Sequence, residues 1–129
     1  MRESINIEGY GYRSNPIPAA SRIGNIFVTG GIHAMDPQTG EISPGADTQC
    51  ANVFSNVRRI LAAAGATPEN IIKMTFWVRD ETMRDTINMH WLQMFPDPRS
   101  RPARYTIILE TLAPAWHLQC EAIAVIENA

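Results

Sequence analysis

The chain has only two cysteines, Cys50 and Cys120. That is too few for a disulfide framework. Both sit inside apolar patterns and share no metal-type spacing, so they read as reduced core residues, with a disulfide between them as the less favoured alternative. No apolar run approaches the length that crosses a bilayer. Met1–Asn6 lacks the apolar stretch of a signal peptide, so a cytoplasmic protein without a membrane partner is expected. Positive charge is not in excess: the formal net charge is −2 and the pI about 5.9. There is no basic excess to neutralise a phosphate backbone, and nucleic acid is not expected as a main partner. The three histidines are scattered. Neither His-Glu-x-x-His nor paired Cys-x-x-Cys occurs, so no metal is expected. There is no phosphate loop, nucleotide fingerprint or nucleophile elbow.

What the chain does have is enough apolar material for a core. Of 129 residues, 45% are hydrophobic and 19% charged, which argues against disorder. No repeat or linker interrupts it, and one domain over residues 1–129 is expected. Ser21–Ile23 and Ile26–Thr29 flank Gly24-Asn25, the pattern of a β-hairpin. Asp36-Pro-Gln-Thr-Gly40 is a turn-rich loop. From Asp47 to Ala64 the apolar period changes. Cys50, Val53, Phe54, Val57, Ile60, Leu61 and Ala64 line one helical face, Asn52, Asn56, Arg58, Arg59 and Ala63 lie on or near the other, and Gly65 ends the helix. Thr67-Pro68 starts a brief turn.

Ile71–Arg79 reads as a strand with Ile72, Met74, Phe76 and Val78 on one face. A second helix begins near Thr82 as N-cap, buries Met83, Ile87, Trp91, Met94 and Phe95, and stops at Pro96. Arg104–Leu109 and His117–Glu127 read as the last strands, with a further strand at Ser4–Ile7. The expected class is α+β: a mixed sheet with two helices. Ile26–Val28, Tyr105–Leu109 and Ala122–Ile126 are apolar on both faces, yet two helices cover only one side of a sheet. The other side is expected to be covered by copies of the chain in a closed homo-oligomer.

Arg104 opens the strand that follows Arg99-Ser-Arg-Pro-Ala103. A guanidinium fork fits a carboxylate in two parallel bonds, so Arg104 reads as the anchor of a small acid. A solvated loop arginine is the alternative.

Taken together, Gly24-Asn25-Ile-Phe-Val-Thr-Gly-Gly31, Asp36-Pro-Gln-Thr-Gly-Glu41, Asn52–Gly65, Ile71-Ile-Lys73, Asn88, Phe95, Pro102-Ala-Arg104 and Glu121-Ala-Ile-Ala124 resemble the RidA (YjgF) family of small trimeric proteins, some of which hydrolyse reactive enamines and imines. The resemblance runs from about residue 15 to 126. It implies a chorismate-mutase-like protomer with a six-stranded mixed sheet and two helices on one face. It also implies a trimeric barrel with ligand clefts between neighbours, and Arg104 on the substrate carboxylate. No cofactor is implied.

This chain departs from the family pattern in four places. Ile17 stands where the family has a cleft tyrosine, Gly30-Gly31 replaces Ser-Gly, and Tyr105 replaces a small residue. Gln119 takes the position of the glutamate thought to activate water. Glutamine can hold a water but cannot accept its proton.

The candidate catalytic residues are therefore Arg104, Gln119 and His117. His117 is read on the strand face shared with Gln119 and Glu121, as a base or as a surface residue. Glu121 is read as a buried, paired acid. The candidate substrate contacts are Arg104, Gly31, His33, Ile17, Asn88, Tyr105 and Trp116. His33 faces either the ligand or solvent, His90 is solvated and Trp91 packs in the core, while Trp77 is open as a cleft residue. Arg99 and Arg101 either join Arg104 on a dicarboxylate or are solvated.

The expected function is hydrolysis of a small carboxylate-bearing imine or enamine to the oxo acid and ammonia. A non-catalytic binding or regulatory trimer is the alternative. Further alternatives are an aminomuconate-like deaminase and a ribonuclease.

Overall fold

A computed structural model describes residues 1–11 and 15–127. The elements run β1 (Glu3–Ile5), β2 (Ala20–Ile23), β3 (Ile26–Thr29), α1 (Ala46–Ala63), a 3-10 turn (Pro68–Asn70), β4 (Ile71–Val78), α2 (Met83–Met94), β5 (Ala103–Ile108) and β6 (Leu118–Val125). The strands form one six-stranded sheet in the order β1-β2-β3-β6-β4-β5. All neighbours are antiparallel except β4 and β5. A parallel pair needs a crossover, and α2 supplies it. The hairpin turns at Gly24, whose φ of +54° is the positive value that glycine adopts without strain.

Both helices cover the same face. Phe54 of α1 and Trp91 of α2 each pack on Phe76 of β4, with ring centroids 5.7 and 6.4 Å apart. Phe27, Met74, Phe76, Ala122 and Ala124 are buried beneath them. On the opposite face Ile26, Val28, Tyr105 and Ile107 are exposed. Burying an aliphatic or aromatic side chain of this size contributes about 1.5–3 kcal/mol. An uncovered row of them is therefore a substantial unmet driving force.

Several local expectations are corrected. Ile72 is exposed and does not share a face with Met74, because the β4–β6 register skips between Ile71 and Lys73. The extra residue of this bulge turns Ile72 outward. The first strand lies at Glu3–Ile5. Thr82 precedes α2 but its side chain does not cap the helix. Asp80 holds that corner, accepting from the Thr82 N–H at 2.9 Å and from the Thr82 hydroxyl.

Asn56 is not on the solvent side of α1. It is fully buried, and its Nδ2 donates to the carbonyls of His33 and Met35, each at 2.9 Å. Gln49, also fully buried, ties α1 to the segment before β6. Its Nε2 donates to the carbonyls of Ser43 and Ala115 at 2.7 Å, and its Oε1 accepts from the His117 N–H at 2.8 Å. Polar groups placed this deep hold only because each finds a partner.

Cys50 and Cys120 are both free and buried. Burial pushes the Cys50 thiol up to about 12, with Asp47 adding to the effect. Burial, then Cys50 itself and Glu121, raises Cys120 as well. Neither thiol is a nucleophile in this state.

Candidate functional site

Arg104 lies opposite Met74 in the β4–β5 register, so its side chain leaves on the helix-covered face. It rises past Phe76 to α2. Its Cζ sits 4.9 Å from the Trp91 ring centre and 6.0 Å from that of Phe76, and its Nη2 donates to Asn88 Oδ1 at 2.8 Å. The aromatic faces favour the cation and fix its plane. Desolvation first, and the nearby Arg84 second, lower its pKa, yet an arginine stays charged. Among the described residues the one ion pair is Arg99 with Asp97, at 3.3 Å. Arg104 is therefore a half-buried cation oriented by a neutral amide, with no carboxylate of its own.

A second group of candidates forms around Gly31. The β3–β6 ladder runs to Val28 opposite Ile123 and is then interrupted. There the Ala122 N–H donates to the Thr29 hydroxyl at 2.9 Å, and pairing resumes between Ile32 and Cys120. Gly31 sits in the gap, and its N–H has no acceptor among the described residues. A Cβ at Gly31 would stand 3.5 Å from Gln119 Oε1, so the glycine leaves room beside that amide. Gln119 and Glu121 lie opposite Trp77 and Thr75, on the face away from the helices. Glu121 is half-buried rather than buried, and it makes no ion pair within the described chain. The expectation of a buried, paired acid is corrected: alternation along β6 puts it on the uncovered face.

His33 and His117 are held by hydrogen bonds of their own. His33 does not face solvent; it is 5% exposed. Its ring stacks on Tyr10 at 4.4 Å and tilts against Trp116 at 5.5 Å. Its Nε2 donates to the Gly11 carbonyl at 2.8 Å, and its Nδ1 accepts from the Met35 N–H at 3.3 Å. Those bonds define the neutral ring, and burial lowers its pKa against a smaller raising effect of the Gly11 carbonyl.

A proton on Nδ1 would cost the Met35 bond. The unfolded chain therefore takes up that proton first, and falling pH favours unfolding. The stability that His33 contributes is complete above its ordinary pKa of 6.5 and declines as pH falls from there toward the folded value. Melting temperatures recorded from pH 7.5 down to 5 should drop, and should do so less in His33→Gln. A flat profile would remove His33 from this role.

His117 precedes β6. Its Nε2 donates to the Pro44 carbonyl at 3.0 Å, so the ring is anchored to the loop before α1 rather than aligned with Gln119. Arg79 escaped notice in the sequence. Its Nε donates to the Trp116 carbonyl at 2.8 Å, and its Nη2 to those of Leu112 and Ala113 at 3.1 and 2.8 Å. It curls the segment before β6 around itself, with Ala115 held at φ +71°. A left-handed alanine is strained, and Arg79 and Gln49 hold the turn from either side of it.

The remaining candidates lie apart. Ile17 is exposed, as is Tyr105, whose ring faces the Lys73 ammonium at 4.9 Å. Trp77 is half-buried on the uncovered face. His90 is not simply solvated, since it stacks on Phe54 at 5.4 Å. Arg99 pairs with Asp97, while Arg101 donates to the Phe95 and Pro96 carbonyls. Neither joins Arg104. A groove of about 710 Å³ runs beside Arg101, Phe95 and Ile72, and Arg104 does not line it. Among the described residues, no three His, Cys, Asp or Glu side chains gather as metal ligands. Among the described residues, no helix is long and apolar enough to cross a membrane.

A family model described as Endoribonuclease L-PSP matches residues 14–126. The YjgF gene product of Escherichia coli superposes with a TM-score of 0.86 at 28% identity, covering 97% of this chain and 99% of that one. The chain belongs to the RidA (YjgF) family. Within it, a RutC family protein of Pyrococcus horikoshii is 31% identical over 125 residues, 96% of this chain and 98% of its own length. The 2-iminobutanoate/2-iminopropanoate deaminase of E. coli K12 is 29% identical over 126 residues, 97% and 98% of the two chains. The structure of E. coli TdcF with bound serine matches at a TM-score of 0.87 and 30% identity, covering 97% and 99%. The six-stranded mixed sheet and paired helices are thus the RidA-family fold.

Proposed function

We propose that this protein hydrolyses a small carboxylate-bearing imine or enamine to the oxo acid and ammonia. The observation that carries the reading is Arg104, a half-buried guanidinium held by Asn88 and Trp91 with no acid of its own. In this reading the fork takes the substrate carboxylate in two charge-assisted bonds. The imine carbon then lies toward the Gly31 N–H and the Gln119 amide, which hold the attacking water. Water adds to the carbon, the C–N bond breaks, nitrogen leaves as ammonia and the carbonyl forms. The names of relatives about 29% identical favour this chemistry.

Arg104 and Gln119 leave opposite faces of one sheet, so a single ligand cannot touch both within one protomer. The proposed pocket is therefore shared between neighbouring chains. In a cytoplasmic homotrimer, the exposed row of Ile26, Val28, Tyr105 and Ile107 would be covered by the barrel.

A second reading, a metabolite-binding or regulatory trimer without turnover, is favoured by Gln119, which cannot take a proton. Ribonuclease action has little to recommend it at a net charge of −2.

Ammonia release from freshly generated 2-iminopropanoate and 2-iminobutanoate separates the first two readings. A rate above the uncatalysed one is expected. Background turnover with retained binding of 2-oxobutanoate would leave the binding protein. Light scattering should give three subunits, and a monomer at micromolar concentration would break the shared-pocket argument.

A further inference from the structure

Arg84 stands in the first turn of α2, and Asn88 follows it four residues later. Residues at that spacing are neighbours on one helical face. Asn88 is the residue that holds the Arg104 guanidinium, at 2.8 Å. Arg84 therefore shares the face of α2 that Arg104 of β5 reaches. The two charges feel each other: Arg84 makes it harder for Arg104 to hold its proton.

Among the described residues Arg84 makes no ion pair. The one ion pair there, Arg99 with Asp97, lies in the loop after α2. Asp85 follows Arg84 directly but projects about 100° round the helix from it. A cation in the first turn is also disfavoured by the free N–H groups of the helix end, where an acid would be the stabilising choice. Two like charges are thus brought together in a place that stability alone does not favour. An incoming ligand with two negative groups would relieve both. Arg99 and Arg101 are engaged with Asp97 and with the Phe95 and Pro96 carbonyls, so Arg84 is the cation in position to help.

We propose that Arg84 is a specificity-determining residue and that the pocket takes a dicarboxylate, with one acid on Arg104 and the second on Arg84. This rests on the reading of Arg104 as the carboxylate anchor. The substrate class becomes the imine or enamine of an amino dicarboxylic acid.

Isothermal titration of the native protein with 2-oxopentanoate and 2-oxoglutarate tests it. The two acids have equal chain length and differ only in a terminal methyl against a carboxylate. The dicarboxylate should bind about tenfold more tightly, the size expected of one added hydrogen bond between charged groups. Arg84→Gln should weaken 2-oxoglutarate by about that factor and 2-oxopentanoate by less than about threefold, so that the preference disappears. Arg84→Lys should keep most of it. Arg104→Ala should weaken both acids.

Equal affinity of the two acids in the native protein, or parallel losses in Arg84→Gln, would overturn the dicarboxylate assignment and leave the anchor standing. Native affinity for both acids in Arg104→Ala, or no binding of either acid to the native protein, would overturn the anchor and this inference with it.

Discussion

Arg104→Ala is expected to weaken binding of 2-oxobutanoate by roughly 10- to 100-fold, the range of a lost hydrogen-bonded contact to a charged group. Turnover on imino acids should fall at least as far. The loss should be specific to the acid group, because Arg104 supports little of the fold. The one hydrogen bond of its side chain among the described residues is to Asn88, on the exposed side of α2, and Trp91 beneath it stays packed on Phe76 and Phe95. Arg104→Lys should recover charge but not the planar fork, and so land in between. Calorimetric titration of the folded variants measures this directly. Unchanged affinity in Arg104→Ala would leave the functional proposal without its anchor.

Gln119→Glu should act in the opposite direction. A positioned base contributes about 10²–10⁴-fold to such a hydrolysis, so a gain of about 10² in kcat/KM is expected if water sits where the Gly31 gap places it. The new carboxylate would share a strand face with Glu121, two residues along β6. A like charge at that spacing holds a carboxyl above its ordinary range, nearer the pH at which a base works best. The side chain is nearly isosteric and the site half-open, so the fold should tolerate it. Ammonia release by native and variant protein, side by side, is the measurement. No gain, with 2-oxobutanoate still bound, would place the attacking water elsewhere.

The two helices and the hairpin are legible because their signals are periodic. Val53, Phe54, Val57, Ile60 and Leu61 recur at helical spacing and are all buried. The likeness to the RidA family was readable from short motifs in order. What escaped was structure set by single polar contacts. Asn56 looks like a solvent residue, yet Gln49, Val53, Asn56 and Ile60 form one line at spacings of four and three. That line runs down the buried stripe, and it was the available signal. Ile72 departs from the alternation because a bulge shifts the period by one without any marker such as glycine. Thr82 was favoured as the cap by residue type, while Asp80, two residues earlier, made the bonds. Arg79 and Arg84 carry no local pattern, since their meaning depends on which carbonyls or charges the fold brings near them.

One feature of the sheet reaches into genetics. Arg104 projects toward the helices and Gln119 away from them. If each working cleft draws one lip from each of two chains, then damage to either lip is separable. A cell making one copy lacking Arg104 and another spoiled at Gln119 would assemble hybrids. Some of their clefts would contain both intact lips. Two inactive alleles would partly rescue one another, which a self-contained pocket could never do.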